Sequence, residues 1–412
     1  MQTGWRIGSL FGIPLILDPL WFVILTFVAL NFGLAYVQWG NTLAWSAGLV
    51  MALLLFGSVL LHELGHSLVA RSQGIKVKSI TLFLFGGIAA IEEESKTPGE
   101  AFQVAIAGPS VSIALFVLLA LLSQALPASS LTQVMITDLA RINLVLAIFN
   151  LIPGLPLDGG QVLKAAVWKV TGNRFQAVRW AARAGQFLGW LAIAAGIALD
   201  FVTGELVSGL WLVLLGWFGI RHASAYDRIT TVQEALLQLV AADAMTRDFR
   251  VVDADQTLRS FADLYLLETT TPQLYFAASD GRYRGMVSVD DLRLVERSEW
   301  ESQTLHSILH PLTEIPTITE STPLVEVINR LEAQQLPQLT VLSPAGAVAG
   351  LIDRGDIVRS LAKKLNMPIP EAEIKWVKEE GRYPQSLQLN VLARSVSNST
   401  AEETKTAELL SR

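Results

Sequence analysis

Cysteine is absent from this chain of 412 residues, and histidine occurs only five times. Disulfides, thiol nucleophiles and cysteine-ligated zinc are therefore excluded, and a metal would have to be held by His, Asp or Glu. Charge is scarce as well. Asp, Glu, Lys and Arg make up 17% of the chain against 51% hydrophobic residues, and the mean hydropathy is +0.44. A net charge of −6 gives no reason to expect nucleic acid as a partner. Residues 1–11 hold a single arginine and no small-residue cleavage site, so no cleavable leader is expected.

What the chain has in excess is apolar runs, concentrated before about residue 222. Residues 13–36, 43–70, 101–126, 131–152, 184–202 and 206–220 give about six expected transmembrane helices. Residues 79–91, split by Gly86-Gly87, are too short to span. A β-hairpin at the bilayer edge is expected there, ended by Glu92-Glu93-Glu94. Residues 161–183 are amphipathic and basic, the pattern of a surface segment. Arg6, Arg71, Lys76, Lys78, Lys96, the basic group from Lys164 to Arg183, Arg221 and Arg228 all fall on one side of six spans. The opposite connections have no Lys or Arg, so both termini and the soluble half are expected in the cytoplasm.

Inside the second run stands His62-Glu63-Leu64-Gly65-His66, a HExxH zinc motif. The two imidazoles lie one helical turn apart with Glu63 on the same flank, so they can grip a metal while the carboxylate faces its water. Ionisable groups in an apolar span are unfavourable unless they serve a site. A third ligand must lie at the same depth, about 28 Å along the helix from Leu43. Asp158, in Pro153-Gly154-Leu155-Pro156-Leu157-Asp158-Gly159-Gly160 at the end of the fourth run, meets that condition. His222, His306 and His310 do not. Asp158 also reads as a helix-terminating turn residue, and Asn150 either as an oxyanion donor or as a cap of a broken helix. Small residues at Ala105, Ala107, Gly108, Ser110 and Ser112 give the third run a face that can pack closely beside the metal helix. Asp138 and Arg141 read as a mutual ion pair, and Gly185 with Gly189 as plain helix packing.

From about residue 231 the composition is that of a soluble protein, and a repeat begins. Pro272-Gln273-Leu274 recurs as Pro337-Gln338-Leu339, and Gly285-Met286-Val287-Ser288-Val289-Asp290-Asp291-Leu292 as Gly350-Leu351-Ile352-Asp353-Arg354-Gly355-Asp356-Ile357, with one offset for both. Each copy reads strand, helix, strand, strand, helix. The polar tail reads as disordered at its end.

These motifs carry a resemblance to the site-2 protease family of intramembrane zinc metalloproteases, in the branch that bears CBS domains. His62-Glu63-Leu64-Gly65-His66 resembles the family's first motif. The stretch from Asn150 to Gly160 resembles its second, an NPxxxDG or LDG signature, although Asn150 is followed here by Leu151 rather than by Pro. Phe85-Gly86-Gly87 and Ala107-Gly108-Pro109 also look like family features, and the likeness covers residues 1–225. It implies one Zn2+ per subunit on His62, His66 and Asp158, Glu63 as general base, and Asn150 stabilising the tetrahedral intermediate. The implied activity is hydrolysis of peptide bonds in or near transmembrane segments of membrane-protein substrates.

The repeat resembles a tandem CBS pair, about 240–297 and 303–363. The resemblance implies an adenine nucleotide (ATP, ADP or AMP) with Ser288 and Asp291 at its ribose. The second copy has Asp353 in place of the hydroxyl, with Asp356 retained as a further candidate nucleotide contact. A pair that only dimerises or props the membrane domain fits the same residues.

The expected architecture is a polytopic α-helical membrane domain with a small membrane-associated β-hairpin (1–225), a cytoplasmic α/β tandem CBS pair (226–365) and a partly disordered tail (366–412). Its expected setting is the cell membrane, as a multi-pass protein in the lipid bilayer, with a homodimer formed through the CBS domains. A nucleotide-gated transporter and a catalytically idle scaffold are the competing classes; both tolerate Glu63→Gln, and a protease does not.

Overall fold

Phe11 and Gly12 take φ values of 50° and 77°, and a two-residue loop with both angles positive matches the twist of paired antiparallel strands. It joins β1 (Trp5–Leu10) to β2 (Ile13–Leu17), with Leu10 opposite Ile13. The expected first span at residues 13–36 is thereby corrected: its start is a strand. Ile13–Leu17 alternates buried and half-buried side chains, as a strand does. Asp18-Pro19 then separates it from α1 (Trp21–Ala35). The Leu20 N–H donates to Asp18 Oδ1 at 2.8 Å, and the Asp18 N–H donates to the Leu82 carbonyl at 2.9 Å. Strand and helix are both apolar, so the hydropathy pattern ran across their boundary.

The computed structural model describes residues 4–394 except 84–85, 93, 205, 266–273, 385–386 and 388. The chain divides into two compact units, Met1–Thr230 and Thr231–Arg412. In the first, α2 (Asn41–Ser72) leads to β3 (Val77–Phe83) and β4 (Gly86–Ile91), the expected antiparallel hairpin. Of the Phe85-Gly86-Gly87 feature, Phe85 lies outside the described residues. The hairpin is half of a four-stranded sheet ordered β1-β2-β3-β4, in which β2 and β3 run parallel. β4 is therefore an edge strand.

Next come α3 (Pro98–Gln124), α4 (Leu131–Asn150), α5 (Asp158–Thr171), α6 (Arg174–Thr203) and α7 (Leu206–Gln238). Thr97 and Glu100 form a reciprocal cap at the start of α3. α2, α3, α4 and α6 are each long and apolar enough to cross a membrane. α1, with 15 residues, extends about 22 Å. The sixth expected span is the first part of the longer α7.

Residues 161–183 are not one surface segment. Gly172 takes φ 67° and stops α5. The Asn173 side chain then accepts from the Gln176 N–H at 3.0 Å to start α6. No breaker stands between Arg183 and Ala184, so the basic stretch and the apolar one form a single helix. Glycines let α6 and α7 approach closely: a Cβ on Gly189 would sit 2.8 Å from the Gly216 carbonyl oxygen.

The second unit begins with α8 (Ala241–Ala244), β5 (Arg250–Asp253), α9 (Leu258–Tyr265), β6 (Leu274–Ser279), β7 (Arg282–Ser288), α10 (Val289–Leu292) and β8 (His310–Pro311). It continues with β9 (Thr317–Thr319), α11 (Leu324–Ala333), β10 (Gln338–Leu342), β11 (Val348–Asp353), α12 (Arg354–Lys364) and α13 (Glu371–Glu380). Both copies of the repeat pair their first two strands parallel and the next two antiparallel. Pro272 and Gln273 of the repeated tripeptide lie outside the described residues. Phe261, Tyr275 and Val287 fill one core, and Ile328, Val341 and Ile352 the other. The tail starts as structure: Val377 of α13 is buried in the second core. Residues 395–412, where disorder was expected, lie outside the described residues.

Candidate active site

His62 and His66, four residues apart on α2, turn their rings to one face and are both buried. Their Nε2 atoms lie 3.3 Å apart, and Asp158 Oδ2 is 3.0 Å from the first and 3.2 Å from the second. Four-coordinate zinc with bonds of about 2.0–2.1 Å requires donor atoms about 3.3–3.4 Å apart. The triangle of two nitrogens and one oxygen is close to one face of that tetrahedron. His66 Nδ1 is 2.7 Å from the Val104 carbonyl, which can only accept, so a neutral His66 ring keeps Nε2 for a metal. A His2Asp set of donors suits zinc.

α3 supplies the wall behind the imidazoles. Val104, Gly108 and Ser112 are spaced four apart and share a face. Ser112 Oγ meets His62 Nδ1 at 2.9 Å, and a Cβ on Gly108 would stand 2.6 Å from His62 Nε2. The small-residue face expected on this helix is therefore present, with Gly108 and Ser112 doing the packing. Ser110 instead points outward and bonds its own Ile106 carbonyl at 2.8 Å. The Val104 carbonyl was not foreseeable, since any residue offers one.

Asp158 is delivered by a close-packed turn. α4 is tied to α2 where Asn143 Nδ2 donates to Ser58 Oγ at 3.0 Å, one turn before His62. After Asn150, the last and half-buried residue of α4, the chain turns through residues 151–157. The turn is wedged against α6: a Cβ on Gly154 would lie 2.7 Å from Gly185 Cα, and Gly185 itself lies against the Leu155 carbonyl. Asp158 then opens α5. Gly185 thus does more than pack helix against helix.

Glu63 is half-buried and lies against β4. Its carboxylate faces the Ala89 backbone N–H, and a Cβ on Gly87 would come 3.1 Å from its Cδ. The edge strand and the carboxylate of the HExxH motif are therefore immediate neighbours. Asp138 and Arg141 pair loosely at 3.8 Å, and the buried Tyr36 hydroxyl donates to Asp138 at 3.0 Å.

In the second unit, Ser288 and Asp291 cap α10 reciprocally, with the Ser288 N–H donating to Asp291 Oδ2 at 2.9 Å. His310 Nε2 lies 3.1 Å from Asp291 Oδ1. His306 pairs with Asp255 at 3.1 Å. Asp353 and Asp356 form the matching cap of α12, and there Lys378 of α13 sits 2.9 Å from Asp353 Oδ2 and 2.7 Å from Asp356 Oδ1. Asp356 is 2% exposed. Lys378 carried no signal in the sequence, where it is one of several charges in a polar tail.

The sequence matches Peptidase family M50 over residues 50–141 and 122–192, and the CBS domain over 240–297 and 307–363. It is 42% identical over 365 residues to sll0528 of Synechocystis sp., named a zinc metalloprotease, covering 88% of this chain and 96% of that one. The chain belongs to peptidase family M50. Rip3 of Mycobacterium tuberculosis, likewise named a zinc metalloprotease, is 34% identical over 330 residues, 79% of this chain and 84% of its own. Among solved structures, a site-2 protease from Methanocaldococcus jannaschii is 30% identical with a TM-score of 0.40, covering 55% of this chain and 95% of that one. This M50 peptidase is a zinc metalloprotease of the site-2 protease family, an integral membrane protein that carries CBS domains.

Proposed function

We propose that this protease hydrolyses peptide bonds in or near the transmembrane segments of membrane-protein substrates, with its metal held by His62, His66 and Asp158. The observation that carries the reading is the convergence of those three donors, from two chain segments 92 residues apart or more, beside the edge strand β4. Zinc held there would supply Lewis-acid polarisation of the scissile carbonyl and would lower the pKa of water toward about 7. Glu63 is the general base that accepts a proton from the attacking water and gives it to the leaving amine. Asn150, at the end of the helix that leads to Asp158, donates to the developing oxyanion. A substrate helix keeps its carbonyls internally bonded, so it must unwind before attack. The exposed edge of β4 pairs with the unwound segment as an added strand.

The basic residues support the orientation. The connections at residues 36–40, 125–130 and 203–205 contain no Lys or Arg, which puts the termini and the CBS pair in the cytoplasm. The membrane domain runs 1–225 and the CBS pair 226–365, with α13 of the following segment packed into the pair's second core, and homodimer formation is through the CBS pair. Adenine nucleotide at Ser288 and Asp291 of that pair modulates the protease.

Glu63→Gln protein should keep its zinc and lose turnover. Comparing membrane proteomes of cells carrying active and Glu63→Gln protein should reveal uncut precursors, which name the substrates. Full activity in Glu63→Gln protein would point instead to the transporter or scaffold class.

A further inference from the structure

Lys164 is 8% exposed, an unusual burial for lysine in an apolar unit. Its ammonium lies 3.4 Å from Glu94 Oε2, and the Arg174 guanidinium reaches the same oxygen at 3.3 Å. Glu94 follows β4 by three residues, Lys164 lies on the helix opened by Asp158, and Arg174 opens α6. One carboxylate therefore joins the end of the edge strand to the helix that supplies the third zinc ligand. Further along, the Glu92 N–H donates to the Lys76 carbonyl at 3.0 Å, and Lys78 pairs with Glu92 at 3.1 Å.

These contacts complete a ring. Asp158 leads along α5 to Lys164, across to Glu94, back along β4 to Ala89 and Gly87, and from there to Glu63. Among the described residues β4 has a strand neighbour on one side only. Its distance from the zinc ligands is thus set by Glu63 at one end and by the Glu94 contacts at the other. Lys164 of α5 and Arg174 of α6 meet on one carboxylate oxygen, so the end of the strand is anchored to two helices at once.

We propose that the Glu94 carboxylate, gripped by Lys164 and Arg174, is a positioning clamp that registers the β4 edge against the zinc ligands, so that a substrate strand paired with β4 presents its scissile bond to Glu63. The proposal rests on the reading that substrates pair with β4. The clamp residues touch neither substrate nor metal; they act through the strand.

The test uses full-length protein in liposomes with a transmembrane-segment substrate. Glu94→Gln should raise KM about tenfold while kcat changes little and zinc content stays the same. Hydrogen exchange at the β4 amides of residues 87–91 should quicken, and Lys164→Arg, which keeps the charge, should retain a KM near that of the unaltered protein. A fold defect would lower kcat through the amount of active protein without moving KM. If Glu94→Gln does not accumulate, Arg174→Gln removes one of the two cations and should show a smaller rise of the same kind. Unchanged KM and unchanged β4 exchange, in a protein that cleaves normally, overturn the clamp alone. Zinc-loaded unaltered protein that cleaves no transmembrane segment overturns the proposed function instead.

Discussion

Gly108 of α3 and His62 of α2 are so close that a side chain at position 108 would enter the space of the two imidazoles, 2.6 Å from His62 Nε2. The nearest atoms all belong to the His62 and His66 rings, so a methyl group there must turn the imidazoles from their positions or push α3 away. Gly108→Ala should therefore lower zinc affinity by about 100-fold, at the upper end of what disturbed ligand support does. Zinc content of purified protein, with helicity by circular dichroism as the control for folding, checks it. Full zinc occupancy in the variant would mean that the rings have room to turn.

Ala89 gives the β4 edge its contact with Glu63 through a backbone N–H. Proline there removes the donor and disturbs the strand where a substrate is to pair. Ala89→Pro protein should retain zinc and lose cleavage of transmembrane substrates. Cleavage at the normal rate would reject strand pairing as the mode of substrate capture.

The Lys164 ammonium beside Glu94, assisted by Arg174, holds the Glu94 carboxyl below its ordinary value of 4.5 despite partial burial. A group depressed in the folded state contributes stability that is fully present above its unfolded value and is lost as pH falls through the folded one. Glu94→Gln should thus be less stable than the unaltered protein at neutral pH. The difference in Tm should shrink as pH drops below 4.5. Half of the Glu94 side chain is open to solvent, so the difference should also shrink with salt.

Burial alone would lower the Lys378 ammonium, but its hydrogen bonds to Asp356 and Asp353 outweigh that and hold it above the usual lysine range. Lys378 therefore stays charged and covers the motif of the second repeat, where a nucleotide's ribose would otherwise reach Asp356. Calorimetric titration with AMP, ADP and ATP should find one nucleotide per chain, at Ser288 and Asp291. Lys378→Ala should add a second, weaker site. No binding at all removes nucleotide modulation from the proposed function; two sites in the unaltered protein show that Lys378 does not close the second.

Much of this was legible because the signals are local. HExxH spaces its side chains within one helix, so the helical repeat alone puts His62 and His66 together. The strand order of each repeat likewise follows from its own hydrophobic alternation and turns. The boundaries read less well. Residues 13–17 and α1 are uniformly apolar, and periodicity cannot divide two buried elements that share a composition. Residues 161–183 failed for the converse reason: charge marked a surface, while the stop at Gly172 and the missing stop after Arg183 decided the helices.

By itself the sequence determined the ligand types, the apolar helices, the repeat and the family, since composition and short-range spacing are properties of the chain. Only the tertiary structure decided that Asp158 faces His62 and His66, that α3 offers Val104, Gly108 and Ser112 to the imidazoles, and that Glu94 and Lys378 have partners. Those relations join residues far apart along the chain, and helix packing, with glycines admitting close backbones, is what sets their distances.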